Sequence, residues 1–191
     1  MTEPSLATAI DTDWSPESEA TLITAAQKTP VLFKPLYLHW APPVYKYLLY
    51  QVGNIDDAED LTSQVFLKIY QEIPRYQHRG YFAAWLFTIA RNTVRDYFRK
   101  SGRQVSLDQA EKTTIHPDLL DQVIKTEEME RLNRLIRALP EHELELIRLR
   151  YAAGLSYAEI GALVRRSEEA TRKAISRLIL RLQSQMENDH E

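Results

Sequence analysis

The stretch Ser156-Tyr157-Ala158-Glu159-Ile160-Gly161-Ala162-Leu163-Val164-Arg165-Arg166-Ser167-Glu168-Glu169-Ala170-Thr171-Arg172-Lys173-Ala174-Ile175-Ser176-Arg177-Leu178 decides the fold. It holds two helix starts in quick succession. Ser156 followed three residues later by Glu159 is a capping box, in which the serine hydroxyl takes an orphan amide and the glutamate reaches back to the cap amide. The helix it opens is short, ending near Val164. After a tight turn, Ser167 caps a second and longer helix. A short helix, a tight turn and a longer helix make the helix-turn-helix arrangement. At about 100° per residue, Ala170, Thr171, Ala174, Ile175, Leu178 and Leu182 gather on one side of the second helix. The opposite side carries Glu169, Arg172, Lys173 and Ser176, flanked by Arg177.

An α-helix fits the major groove of DNA, where arginine pairs with guanine and serine meets several base edges. Basic residues beside the helix start, and the amides of that start, suit phosphates. The candidate DNA contacts are therefore Arg165, Arg166, Ser167, Thr171, Arg172, Lys173, Ser176 and Arg177, with Arg165 and Arg166 assigned to phosphates. An ordinary helical hairpin with a solvated basic face is the alternative reading.

Upstream, the punctuation is helical throughout. Gly53, Gly80, Gly102 and Gly154 fall between apolar periodic segments, and no segment alternates apolar and polar residues as a strand does. Ser15-Pro16-Glu17 opens a short helix. A second is expected from about Pro30 to Ala41, with Pro42-Pro43 restarting the chain. Asp56 is expected to cap the next helix, whose buried stripe is Ala58, Leu61, Val65, Ile69 and Ile73. A loop over residues 74–80 leads to an apolar helix from about Tyr81 to Lys100, with Phe82, Leu86, Ile89, Ala90, Thr93 and Tyr97 on one face. Residues 101–117 lose periodicity. From Asp118 a helix is expected to Leu139, and another from Pro140 to about Ala153.

Two of these helices carry candidate binding surfaces. On the helix Tyr81–Lys100, Arg91, Arg95 and Arg99 recur every four residues, with Thr88 and Asn92 beside them and Lys100 at the end. Tyr76, Tyr81, Phe82 and Trp85 surround its start. Basic residues with aromatic faces nearby suit single-stranded nucleic acid. Phe82 lies mid-stripe, where core packing is the stronger reading, and Trp85 at the stripe's edge suits either role. On the helix after Asp56, the residues Asp60, Gln64, Leu67 and Gln71 point away from the buried stripe, leaving Leu67 as an apolar residue on a polar face. Beside the acidic run Asp56, Asp57, Glu59 and Asp60, it fits a docking knob for a basic partner. The same acidic run also complements the helix dipole.

The chain has 191 residues, 44% of them hydrophobic and 27% charged, and no cysteine. That composition is globular and excludes a disulfide scaffold, a thiolate metal site and a cysteine nucleophile. No run approaches the roughly 18 apolar residues of a membrane helix, and the N-terminus lacks signal-peptide character, so a cytoplasmic location without membrane insertion is expected. The net charge of −3 conceals a sharp division. Residues 1–20 hold five acidic side chains and no basic one, residues 75–103 hold seven basic against one acidic, and residues 165–181 hold six against two. Two separate basic patches are a footprint for polyanions. No phosphate-binding glycine loop and no zinc spacing among the histidines is present. The single Glu-x-x-His, Glu187 to His190, falls short of the paired motifs of a di-iron bundle, so neither a cofactor nor a metal is expected.

The motifs together resemble a known family. Asp57-Ala58-Glu59-Asp60-Leu61-Thr62 with Val65-Phe66-Leu67 resembles the core-polymerase-binding segment of bacterial sigma factors. Ala84-Trp85-Leu86-Phe87-Thr88-Ile89-Ala90-Arg91-Asn92 with Asp96-Tyr97 resembles the promoter-melting segment of the extracytoplasmic-function (ECF) class. Leu139-Pro140, Leu155 to Gly161 and Ser167 to Leu182 resemble that class's promoter-reading domain. The resemblance implies an all-α protein of two small helical domains joined by a flexible linker: a first domain (21–100), a linker (101–127) and a helix-turn-helix domain (128–187). The acidic residues 1–20 lie outside the family's common pattern and are expected to be a disordered tail. It implies a specificity subunit of RNA polymerase rather than an enzyme, with core polymerase, promoter DNA and an anti-sigma factor as partners and no small-molecule substrate. Asp56, Asp57, Asp60, Gln64 and Leu67 would bind core polymerase. Trp85, Arg91, Asn92, Arg95, Arg99 and Lys100 would act at the minus-ten element, and the helix-turn-helix at the minus-thirty-five element. The turn departs from the family pattern, with Arg165-Arg166 where a glycine and an apolar residue are usual. A freestanding helix-turn-helix regulator is the alternative, against which the first domain argues.

Overall fold

A computed structural model describes residues 14–77, 81–100 and 127–188. All regular structure among them is helical. The first group is α1 (Pro16–Lys28), α2 (Lys34–Val52), α3 (Ile55–Glu72) and α4 (Phe82–Lys100), with short 3-10 turns before α2 and after α3. The second is α5 (Glu127–Arg137), α6 (Glu141–Ile147), α7 (Tyr157–Val164) and α8 (Glu168–Asn188). The expected all-α fold of two helical units is observed; the region expected as the linker lies almost wholly outside the described residues.

α1 begins where Ser15 and Pro16 direct it. Ser15 Oγ accepts from the Ser18 amide at 3.2 Å, and the Ser18 hydroxyl takes the Ser15 amide at 3.0 Å. Residues 14–20 therefore do not behave as the expected disordered tail. Glu19 is buried in α1 and accepts from the Trp40 indole at 2.9 Å, while Trp14 stacks on His39. Residues 1–13 lie outside the described residues.

α2 overrides its own breakers. Pro42 and Pro43 sit inside one continuous helix rather than restarting the chain. Each internal proline costs about 3 kcal/mol through a lost hydrogen bond and a ring clash. Against that stands a stripe of Leu36, Trp40, Val44, Tyr47 and Leu48, all buried. At about 1.5–3 kcal/mol for each large apolar side chain, the stripe outweighs the prolines only if it stays in helical register across them. Gly53, at φ 69°, ends the helix.

α3 is capped by Asn54, not Asp56: the Asn54 side chain accepts from the Asp57 amide at 2.9 Å, which places Asp56 inside the first turn. Its buried face is the expected one, Ala58, Leu61, Val65, Ile69 and Ile73. In α4, Phe82, Leu86, Phe87, Ala90 and Val94 close the core against α2 and α3.

In the second unit, Leu139, Leu178 and Leu182 form a small core between α8 and the α5–α6 corner. α6 does not run on to Ala153 as an α-helix. It widens into a π turn over Arg148–Ala152, closed by the Ala153 amide on the Arg148 carbonyl at 3.0 Å. The extra residue per turn accompanies the burial of both Leu149 and Ala153. These two, with Leu146, Leu155, Ile160, Leu163 and Ile175, join the core of the first unit, so one hydrophobic cluster runs through both.

Replacing Pro42 and Pro43 together with alanine is expected to stabilise the protein by about 1–3 kcal/mol in chemical denaturation. Destabilisation would mean that the rings carry packing the helix needs.

Candidate nucleic-acid interface

The helix-turn-helix forms as its caps dictate. Ser156 Oγ accepts from the Glu159 amide at 3.2 Å and Glu159 Oε2 takes the Ser156 amide at 2.7 Å. Ser167 Oγ accepts from the Ala170 amide at 3.1 Å at the start of α8. Between them Arg165 adopts the left-handed conformation, φ 59° and ψ 46°, alone among the described non-glycine residues. The turn geometry usually given to glycine is thus met by an arginine, at a local cost of about 1–2 kcal/mol. The Arg166 amide donates to the Gly161 carbonyl at 2.8 Å.

Gly161 is the residue that allows the hairpin to close. A Cβ there would lie 2.7 Å from the Arg166 carbonyl oxygen and 3.2 Å from Thr171 Oγ1. Thr171 is 0% exposed and its hydroxyl donates to the Ser167 carbonyl at 2.9 Å. It is a packing residue of the hairpin and leaves the candidate contact set. Ala170, expected on the inner face, is exposed; Thr171, Ile175, Leu178 and Leu182 make that face, with Ala174 half-buried.

Arg165, Arg166, Ser167, Arg172, Lys173, Ser176 and Arg177 are all exposed on the turn and outer face. Arg172 pairs with Glu168 at 2.8 Å and Lys173 with Glu169, each one turn back along α8. Such exposed pairs contribute about 0.3–0.5 kcal/mol, so little holds the carboxylates in place.

On α4, Arg95 and Arg99 are exposed and held only locally, Arg95 donating to Asn92 at 3.1 Å and Arg99 pairing with Asp96 at 3.1 Å. Lys100 is exposed too. Phe82 is buried and belongs to the core. Trp85 is half-buried at the edge, its ring tilted at 36° to that of Tyr76 with centroids 4.4 Å apart. On α3, Asp56, Asp60 and Gln64 are exposed and Leu67 is 58% exposed, while Asp57 is half-buried and accepts from the Tyr97 hydroxyl at 2.7 Å.

Arg91 stands apart from its stripe. Its Nε reaches across to Glu145 Oε1 of α6 at 3.0 Å. Glu145 also accepts from the Tyr47 hydroxyl at 2.9 Å and from Gln51 Nε2 at 3.0 Å, both on α2. Burial raises the Glu145 pKa, opposed by Arg91, the Tyr47 hydrogen bond and Arg148. Burial likewise holds the Tyr47 phenol well above its usual range. Sequence reasoning missed this cluster, because Glu145 lies between Leu144 and Leu146 with no motif around it.

Gly161→Ala is expected to lower stability by about 1–3 kcal/mol, the usual cost of overpacking. Arg165→Gly is expected to raise it by about 0.5–1 kcal/mol, relief of the left-handed strain exceeding the added chain entropy. Thermal denaturation of both variants checks the pair, and the opposite signs would contradict the turn geometry described.

Two family models match the chain: Sigma-70 region 2 over residues 36–104 and Sigma-70, region 4 over residues 129–182. The first falls on α2 to α4, the second on α5 to α8. The chain is 34% identical over 147 residues to the ECF RNA polymerase sigma factor BldN of Streptomyces coelicolor, covering 72% of this chain and 54% of BldN, so it spans about half that relative's length. It is 30% identical over 155 residues to the ECF RNA polymerase sigma factor SigD of Mycobacterium tuberculosis, covering 76% of this chain and 72% of SigD. Among solved structures it is similar to the sigma factor RpoE in complex with the anti-sigma factor NepR from Bartonella quintana, with a TM-score of 0.58, 25% identity, and coverage of 80% of this chain and 94% of that one. With both regions in order on two helical units, the chain belongs to the ECF class of the sigma-70 family of RNA polymerase sigma factors.

Proposed function

We propose that the protein directs promoter-specific initiation by dividing three tasks among three exposed surfaces. The outer face of α3, through Asp56, Asp60, Gln64 and Leu67, docks on core RNA polymerase; Asp57, tied to Tyr97, sets the edge of that face. The α4 stripe, with Trp85, Arg91, Asn92, Arg95, Arg99 and Lys100, takes the non-template strand at the minus-ten element. The α7–α8 hairpin reads the minus-thirty-five element, with Arg172, Lys173, Ser176 and Arg177 in or beside the major groove. Arg165, Arg166 and Ser167 hold phosphates.

The observation that carries this reading is a pair of exposed basic surfaces on two separate helical units, beside an acidic face that exposes Leu67. The division into residues 21–100 and 128–187 follows the same logic, extended at the front by α1. The protein is read as a subunit that lends specificity to the polymerase, acting in the cytoplasm; among the described residues no helix is long and apolar enough to cross a membrane. An anti-sigma factor is proposed as a further partner, supported by the likeness to RpoE held by NepR.

Run-off transcription with purified core polymerase on a promoter library is the test. The full chain is expected to produce defined start sites, and Leu67→Asp to abolish core binding while helicity and thermal stability remain nearly unchanged. Unfolding of that variant would place Leu67 in the core instead. On the upstream element, Arg172→Ala is expected to cost about 1–3 kcal/mol and relax preference at one position. Arg166→Ala should weaken all sequences alike and lower the salt slope by about one unit. Uniform loss in both variants would remove Arg172 from base readout. Binding to DNA with no effect from polymerase would favour a freestanding regulator.

A further inference from the structure

The guanidinium proposed to read a base is tied to a neighbouring helix by an aromatic ring. Arg172 Cζ lies 5.8 Å from the ring centroid of Tyr157, the first residue of α7, and Arg150 Cζ lies 4.5 Å from the same centroid. Among the described residues, no other basic side chain of the α8 outer face stands over a ring. Each support of this arrangement is fixed locally. Tyr157 directly follows the cap Ser156, so the capping box that opens α7 sets its backbone, and its half-buried ring packs against the core. Arg150 comes from the π turn and is half-buried; its Nη1 donates to the carbonyl of the buried Leu155 at 2.7 Å. Arg172, by contrast, keeps 56% of its side chain exposed.

The ring acts on Arg172 differently from its other partner. Glu168, paired with Arg172 at 2.8 Å, takes up N–H donors that a base edge needs. A π face attracts the cation through the ring quadrupole and supplies no competing acceptor, so this contact and a bidentate bond to guanine are compatible. An arginine that is free at the surface loses rotamer freedom when it binds, and holding it beforehand lowers that loss. Arg150 adds a second positive charge beside the ring, which favours an incoming polyanion.

We propose that Tyr157 is a positioning residue for promoter reading: its ring, backed by Arg150, holds the Arg172 guanidinium toward the major groove, so that Arg172 discriminates guanine at one position of the upstream element. This rests on the reading of Arg172 as a base contact. Tyr157 itself reads no base, and its hydroxyl takes no part.

The test measures binding of the full chain with core polymerase to promoters carrying each base pair in turn across the upstream element. The proteins compared are the wild type, Tyr157→Phe and Tyr157→Leu, with and without Arg172→Ala. The wild type is expected to discriminate by roughly 5- to 150-fold at the position Arg172 reads. Tyr157→Leu should lower that discrimination by about 2- to 5-fold, the share of an exposed cation–π contact. Preferences elsewhere and the salt slope should not change, since no phosphate contact is lost. Tyr157→Phe, which keeps the ring, should retain the discrimination, and in the Arg172→Ala background Tyr157→Leu should alter preference no further. Because the smaller leucine can also loosen α7, the second variant replaces Tyr157 with pentafluorophenylalanine, which keeps the ring's shape, reverses its quadrupole and should behave as Tyr157→Leu does. In the free full chain, nitrogen relaxation of the Arg172 Nε–H should report an ordered side chain in the wild type and Tyr157→Phe and a mobile one in the other two. Uniform loss across all sequences in a folded Tyr157→Leu protein, equal losses in Tyr157→Phe and Tyr157→Leu, or Arg172 motion unaltered by the fluorinated ring would overturn the positioning role. Those failures leave the promoter reading standing. Unaltered preference in Arg172→Ala would instead remove base reading by Arg172, and the proposal with it.

Discussion

A carboxylate buried between two helical units must be matched by donors, and Glu145 draws all of its inter-unit donors from the far side of the interface. Taking an ion from water costs several kcal/mol even after relaxation, and removing one partner of a buried pair commonly costs about 3–5 kcal/mol. The Glu145 carboxylate is therefore stable where it sits only while Tyr47, Gln51 and Arg91 are present together. That requirement fixes how α6 meets α2 and α4. The apolar surfaces beside it, Leu149 and Ala153 on one side and Tyr47 and Phe87 on the other, then complete a common core.

Burial of the partner carboxylate, not of the cation, sets Arg91 apart from the other basic residues on these surfaces. Arg172, Lys173, Arg95 and Arg99 engage neighbours on their own helices at the surface, where ion pairs are weak and screened. They are available to a polyanion. Arg91 lies in the same stripe as Arg95 and Arg99 and is likewise exposed, but its Nε is paired with a carboxylate shielded from water.

What was legible in the sequence was local. The capping box of α7, the turn before α8 and the buried stripe of α3 follow from hydrogen bonds and periodicity within a few residues, and they appear in the structure as read. What was hidden was set by distant parts of the chain. Pro42 and Pro43 read as a break because their cost is local, whereas the burial of Trp40, Val44 and Leu48 that overrides it comes from α3 and α4. The cap of α3 moved from Asp56 to Asn54 because both residue types cap well and the site of the chain reversal is set by Gly53. Thr171 carries a polar side chain that reads as a contact, yet its proximity to Gly161 turns it inward. Glu145 has no signal in its own neighbourhood, since its partners lie about 50–100 residues earlier in the chain.

The central claim, that one core and one buried carboxylate bind the two units into a single body in the free protein, is most directly tested by differential scanning calorimetry of the full chain with and without Glu145→Lys. The account predicts one cooperative transition in the wild type, with calorimetric and van't Hoff enthalpies in agreement, and two separate transitions in the variant. Two independent transitions already present in the wild type would contradict it.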